Sequence, residues 1–326
     1  MLNNNTVDIG QYIAYSCVIG SRAYGLNRPD SDTDRRGFYI LPPEILWSPL
    51  CAQKLKEQRE FRQQYIAWQH KPDKPDDRDA TYWEIGKFMH LLYLANPNVL
   101  ECLYTPMVEV TCPMVQILIN NRHRFLSKHL IKTYGGYARQ QFEKLRANPE
   151  ACEELGLTPK HYNNPGCKQG TRDIALSRRN AMHMVRMMLG GISALKEYTI
   201  MVDVSEHREA LLNIRTGQMS LKDALAWFNE LDAEFNTLKD TTKLPDVADL
   251  EWMHKYLLSV RTAMASNYIE QGILLSTEEM LFRNPRDKHG LQLLERPGFT
   301  EWYTKVYEPY TGIEMPYKDE VASVQG

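Results

Sequence analysis

The sequence is poor in the features that mark several protein classes. Its six cysteines, at positions 17, 51, 102, 112, 152 and 167, are scattered through 326 residues. They form no C-x-x-C pair and no His/Cys cluster at zinc spacing, which argues against a disulfide framework and a structural zinc. No apolar run approaches the roughly 18 residues that span a bilayer. The opening, "MLNNNTVDIG", lacks the basic and apolar regions of a secretory signal. Internal repeats and low-complexity tracts are also missing. These absences lead us to expect a cytoplasmic protein with free thiols and no membrane contact.

What is present is ordinary in bulk and uneven in detail. Hydrophobic residues make up 43% and charged residues 25% of a chain long enough for two domains. The net charge of −2 hides an asymmetry. Residues 127–198 carry 12 basic and 6 acidic side chains, while residues 199–326 carry 13 and 21. A positive middle segment suggests a partner that carries phosphates, or else a solvated face.

Patterning divides the chain into an α/β head and a helical body. "YIAYSCVIG" and "RRGFYIL" read as strands flanking a tight turn and a short helix. "PPEILW" starts a turn or short helix, and residues 53–78 read as an exposed polar excursion. "DATYWEIGKFMHLLYLA" passes from alternation into a helix that buries Ile85, Phe88, Met89 and Leu92. Asn96-Pro97 caps and starts another helix, carrying Val99, Leu100 and Leu103. From residue 113 the pattern is helical, with breaks expected at Gly135-Gly136 and weakening at Gly190-Gly191. The stretch "PEACEELGLTPKHYNNPGCKQG" reads as a loop-rich connection. Ser220 is an expected helix N-cap, and "ADLEWMHKYLLSVRTAMASNYIEQG" is a further helix.

The chemistry concentrates in "VIGSRAYGLNRPDSDTDRRGFYIL", residues 18–41. Asp32 and Asp34 stand two apart at the start of a strand-like run, where residues i and i+2 share a face. Two converging carboxylates repel each other, and a hard cation such as Mg²⁺ relieves the repulsion. Gly20 lets backbone N–H groups approach a phosphate, Ser21 adds a donor, and a helix opening at Arg22 adds positive potential. A third carboxylate is needed to hold two metals. Asp79 on the next strand-like segment is the preferred candidate, and Glu84, expected inside the following helix, is its rival. The implied chemistry is two-metal phosphoryl transfer, in which one ion activates the attacking oxygen and the other neutralises the leaving pyrophosphate. The competing reading is structural punctuation, because glycine turns and aspartate at strand starts are common.

Arg172, Arg179 and Arg186 follow at i, i+7 and i+14, with His183 between the last two. On a helix they form a polar stripe opposite Ala175, Met182, Val185 and Leu189. Such a stripe either meets triphosphate or an RNA backbone or is a solvated face. Arg35 and Arg36 either contact phosphate or pair with a neighbouring carboxylate.

G-S, a gap of ten residues and D-x-D resemble the signature of the DNA polymerase beta nucleotidyltransferase superfamily. "GSRAYGLNRPDSDTDRRGFY", "NPNVLECLY", "RRNAMHMVRMM" and "LLNIRTGQMS" look like its branch associated with RNA ligases in RNA repair, found in bacteria and phages. The resemblance implies an α+β fold, with a small mixed-sheet, palm-like nucleotidyltransferase head and an all-helical C-terminal region. The expected divisions are residues 1–112, 113–318 and a flexible tail from 319 to 326. The resemblance also implies Mg²⁺ (or Mn²⁺) and a nucleoside triphosphate such as ATP. Asp32, Asp34 and Asp79 are then the catalytic and metal-binding set, and Gly20, Ser21, Arg22, His183 and Arg186 the nucleotide-binding set. Arg172 and Arg179 meet the acceptor, with an RNA end as the leading acceptor and an RNA ligase as a possible partner. The alternatives are a transferase acting on a protein or small molecule in a toxin-like role, and a non-catalytic RNA-binding accessory to a ligase.

Overall fold

The strand "IAYSCVI" forms β1 (Ile13–Ile19), whose second half is buried because four of its last five side chains are tyrosine, cysteine, valine and isoleucine. In the computed structural model, which describes residues 9–46, 69–70, 80–159 and 173–270, β1 pairs on both sides. After the single turn α1 (Gly20–Ala23), β2 (Asp34–Tyr39) returns antiparallel to β1, with Ile19 opposite Asp34 and Cys17 opposite Arg36. A Cβ at Gly37 would lie 1.8 Å from the Tyr15 carbonyl oxygen, so only glycine permits this approach, beside the register shift between Ile13 and Tyr15. The chain then forms α2 (Pro43–Leu46), β3 (Gln69–His70) and β4 (Thr81–Glu84). β4 runs parallel to β2, with Arg36 opposite Thr81. The exposed strand β5 (Val108–Val110) closes the other edge, giving a five-stranded mixed sheet in the order β3-β4-β2-β1-β5.

Helices follow from the same local rules. The Glu84 side chain accepts from Gly86 N at 2.7 Å and starts α3 (Ile85–Tyr93), which buries the four residues its period selects. Asn96 accepts from Asn98 N at 3.0 Å and starts α4 (Pro97–Tyr104) with proline in the first turn. The remaining helices are α5 (Pro113–Asn120), α6 (His129–Leu145), α7 (Pro149–Leu155), α8 (Ile174–Glu197), α9 (Arg208–Thr216), α10 (Leu221–Thr241) and α11 (Leu250–Glu270). Ser220 caps α10 by accepting from Asp223 N at 3.0 Å. The α+β expectation holds: a small mixed sheet precedes a mostly helical remainder. The described residues up to Val260 belong to one compact unit, and those from Arg261 onward fall outside it. The division expected at residue 112 falls inside that unit, between β5 and α5.

Three local expectations are corrected. The break expected at Gly135-Gly136 is absent, since α6 runs through it, while α8 runs through Gly190-Gly191 as the long helix read from sequence. The glycines are contact points instead. A Cβ at Gly191 would sit 2.9 Å from the Phe235 ring of α10, and one at Gly135 would sit 3.4 Å from the same ring. Second, α8 is not a surface helix with one apolar stripe. It packs against α6, α9 and α10, and most of its residues from Ala181 to Leu195 are buried, while Ala175, expected on the apolar face, is exposed. Third, part of the connection read as loop-rich is the helix α7, capped by Asn148. The expected excursion at 53–78 and the tail from 319 lie outside the described residues, apart from Gln69–His70, which pair with β4. No helix among the described residues is long and apolar enough to cross a membrane. Cys17, Cys102, Cys112 and Cys152 are free thiols.

Candidate active site

Gly20 takes φ +69°, a conformation that side chains disfavour, and a Cβ there would lie 2.0 Å from Asp34 Oδ2. The glycine thus makes the space into which the Asp34 carboxylate settles. The antiparallel pairing of β1 with β2 supplies the proximity, because Ile19, the residue before Gly20, is opposite Asp34. Asp32 is not on the strand, as the two-residue spacing suggested. β2 begins at Asp34, and Asp32 belongs to the loop before it. Strand geometry instead puts Asp34 and Arg36 on one face. Arg36 Nη1 donates to Asn98 Oδ1 at 2.7 Å, while Arg35, on the other face, pairs with Glu109 at 2.8 Å.

The loop between α1 and β2 is held by two arginines. Arg22 donates from Nε to the Asp32 carbonyl at 3.1 Å and from Nη2 to the Ser31 carbonyl at 2.8 Å. Arg208, at the start of α9, donates to the Gly25 carbonyl and, at 2.7 Å, to that of Asn27. Val204 N adds a bond to the Tyr24 carbonyl at 3.1 Å. The backbone leading into the aspartates is thus tied at five points from Tyr24 to Asp32.

Gly20, Ser21, Asp32 and Asp34 line one wall of a cavity of about 410 Å³, and Arg179, His183 and Arg186 of α8 line the other, with Arg215 of α9. A buried network joins the walls. Glu101 of α4 accepts from Tyr24 OH at 2.7 Å and from Arg186 Nη1 at 2.9 Å, and the Arg186 guanidinium lies 3.8 Å from the centre of the Tyr24 ring. Burial is the largest single influence on Arg186 and works against its charge, but Glu101, Tyr24 and Tyr134 together outweigh it and the net shift is upward. Burial raises the Tyr24 phenol, so it stays a donor. His183 is pushed down to about 3, first by burial and then by the charges of Arg186, Arg179, Arg215 and Lys144. It is therefore a neutral imidazole at physiological pH.

Several expected residues thus meet in one cavity: Gly20, Ser21, Asp32, Asp34, Arg179, His183 and Arg186. Arg22 is not among the residues lining it and serves the loop. Glu84, the rival third carboxylate, is the last residue of β4 rather than part of a helix, and its side chain caps α3. Asp79 and Arg172 lie outside the described residues. Among the described residues, no three His, Cys, Asp or Glu side chains converge as metal ligands. The two carboxylates are nevertheless the hard oxygen donors that Mg²⁺ or Mn²⁺ takes, and the Gly20 cradle holds one of them in place. Motif reading did not single out Glu101 or Arg215, although both lie in strings that carried the resemblance, "NPNVLECLY" and "LLNIRTGQMS".

Searches of curated proteins and of solved structures each found no match. A family model described as the RNA repair pathway DNA polymerase beta family, RlaP, matches residues 3–259. That span takes in the G-S and D-x-D wall and the α8–α9 wall together, and the chain belongs to that family of DNA polymerase beta-like nucleotidyltransferases.

Proposed function

We propose that this chain transfers a nucleoside monophosphate from a nucleoside triphosphate to a hydroxyl at an RNA end, releasing pyrophosphate. The observation that carries the reading is the convergence of Gly20, Ser21, Asp32 and Asp34 on one wall of a cavity whose other wall is basic. Gly20 and Ser21 hold the β and γ phosphates, using the space that the missing side chain leaves. Asp32 and Asp34 hold the divalent ions, Mg²⁺ or Mn²⁺, and Asp79 completes the set. Asp79 lies two residues before Thr81 in the sequence, and Thr81 pairs with Arg36, two residues after Asp34. Bound there, the ions neutralise charge on the attacking and leaving oxygens.

In the transfer, the acceptor oxygen bonds to the α phosphorus as the bond from that phosphorus to the bridging oxygen of the leaving group breaks. The acceptor proton passes to Asp79, and the departing electron pair leaves on pyrophosphate. Arg22 and Arg208 keep the aspartate loop in place. Arg186 contributes through the cavity floor, since its charge is already committed to Glu101.

Incubation with each labelled triphosphate and Mg²⁺, with and without total RNA, tests the reading. Label on RNA supports it. Label on the protein or on a small molecule moves the acceptor to another class, and no label with any triphosphate favours an accessory to an RNA ligase.

A further inference from the structure

The α8 arginines were read from sequence as one stripe, but the structure distributes the positive charge over three helices. Lys144 of α6, Arg179 of α8 and Arg215 of α9 all bear on His183. None of these three cations has an ion-pair partner among the described residues. Nearby cations are already neutralised: Arg186 by Glu101, Arg28 by Asp30 and Arg178 by Glu154. Arg215 is also partly buried, and its pKa is lowered by burial and then by Arg28 and Arg179, against the opposing pull of Asp30 and Asp32. Like charges gathered in a concavity raise one another's energy, and an anion relieves them.

We infer that Arg179, Arg215 and His183, which line the same cavity as Asp32 and Asp34, form an anion subsite that takes a phosphate group. Two guanidinium forks arriving from different helices suit a tetrahedral oxyanion, which presents oxygens in several directions. A planar carboxylate fills one fork only. A neutral His183 adds a single N–H donor and no competing charge. The phosphate comes either from the triphosphate of the nucleotide or from the acceptor strand. The inference rests on the proposed reaction only for the choice between those two sources.

The test is metal-free binding by the full-length chain in EDTA, so it does not depend on turnover. The probes are inorganic pyrophosphate, ATP, and one RNA oligonucleotide bearing either a 5′-phosphate or a 5′-hydroxyl. Arg215→Gln and Arg179→Gln should each weaken the preferred probe about tenfold, the scale of one charge-assisted contact. Arg215→Lys, which keeps the charge and loses the fork, should recover only part of that loss. A triphosphate source predicts losses for pyrophosphate and ATP with both oligonucleotides unchanged. An acceptor source predicts loss for the oligonucleotides and not for pyrophosphate or ATP, in both if a backbone phosphate is held and in the 5′-phosphorylated one alone if the terminal phosphate is. Either pattern supports the subsite, with melting curves run on each variant to show that it is folded. Wild-type protein that binds no probe, or folded arginine variants that bind every probe as the wild type does, overturns it. If no acceptor is ever labelled in the transfer assay but these losses are found, the reaction fails and the anion subsite stands.

Discussion

The two walls of the cavity are built in opposite ways. The acidic wall is local. Gly20, Ser21, Asp32 and Asp34 lie within fifteen residues, Asp32 is exposed, and the backbone around them is tied by side chains reaching in from elsewhere. The helical wall is assembled from α4, α6, α8 and α9, and it contains the buried Glu101–Arg186 ion pair. An exposed carboxylate on a tethered loop can change its charge at little cost to the fold. A buried carboxylate bound to a buried guanidinium cannot, because losing either partner strands a charge away from water. The acidic wall is therefore suited to chemistry, and the buried pair in the helical wall to holding shape.

Substitutions should separate the two walls. Asp32→Asn and Asp34→Asn should each lower transfer by about a thousandfold, a few kcal/mol of lost transition-state stabilisation, while the melting temperature changes little. Full activity in either folded variant would remove the carboxylate pair from the mechanism. On the other wall, Glu101→Ala should cost about 3–5 kcal/mol in denaturant unfolding, and replacing Glu101 and Arg186 together by methionine should recover much of it. A double variant no more stable than the single would show that the pair does not behave as one unit. Gly191→Ala, which drives a methyl group into Phe235, should cost about 1–2 kcal/mol net of the better helix propensity, and Phe235→Leu should relieve it.

The depressed pKa of His183 gives a signed pH effect. Between about 6.5 and about 3 the unfolded chain binds a proton that the folded chain refuses. Stability is therefore fully present above pH 6.5 and falls as the pH drops through that window, by at most about 1.4 kcal/mol per pH unit. His183→Asn should flatten that part of the stability curve, and an unchanged slope would mean that the imidazole is not held neutral. The smallest effect belongs to the surface. Glu109→Gln breaks the half-exposed pair with Arg35 and should change stability by less than about 1 kcal/mol.

The same contrast explains what could be read in advance. The α/β head followed by helices, the caps at Asn96 and Ser220, and the buried faces of α3 and α4 follow from periodicity and short-range hydrogen bonding, which act over a few residues. The acidic wall was legible for the same reason, although the loop placement of Asp32 was not, because a spacing of two carries no marker of where a strand begins. The helical wall was harder. Arg215 stands 32 residues after His183 and Lys144 stands 39 residues before it, in no fixed period, and only tertiary packing brings them together. Arg186 was recognisable as a charge on α8 but not as a buried one, because its partner Glu101 is supplied 85 residues earlier. Gly135-Gly136 misled because a glycine chosen for close helix contact looks, in sequence, like one chosen to end a helix.

The two ties on the aspartate loop reach it at different times. Arg22 is made with the loop, nine residues before one of the carbonyls it holds, whereas Arg208 is translated 181 residues after Asn27. On the ribosome the aspartates therefore emerge with one tether, and the second is added only after α8 has been synthesised. A chain released between residue 34 and residue 208 carries the complete G-S and D-x-D string but lacks the distal clasp. Its motif would read as intact in any comparison of sequences while the loop bearing Asp32 was held from one side only. The order of translation thus delays the last restraint on this loop until most of the protein exists.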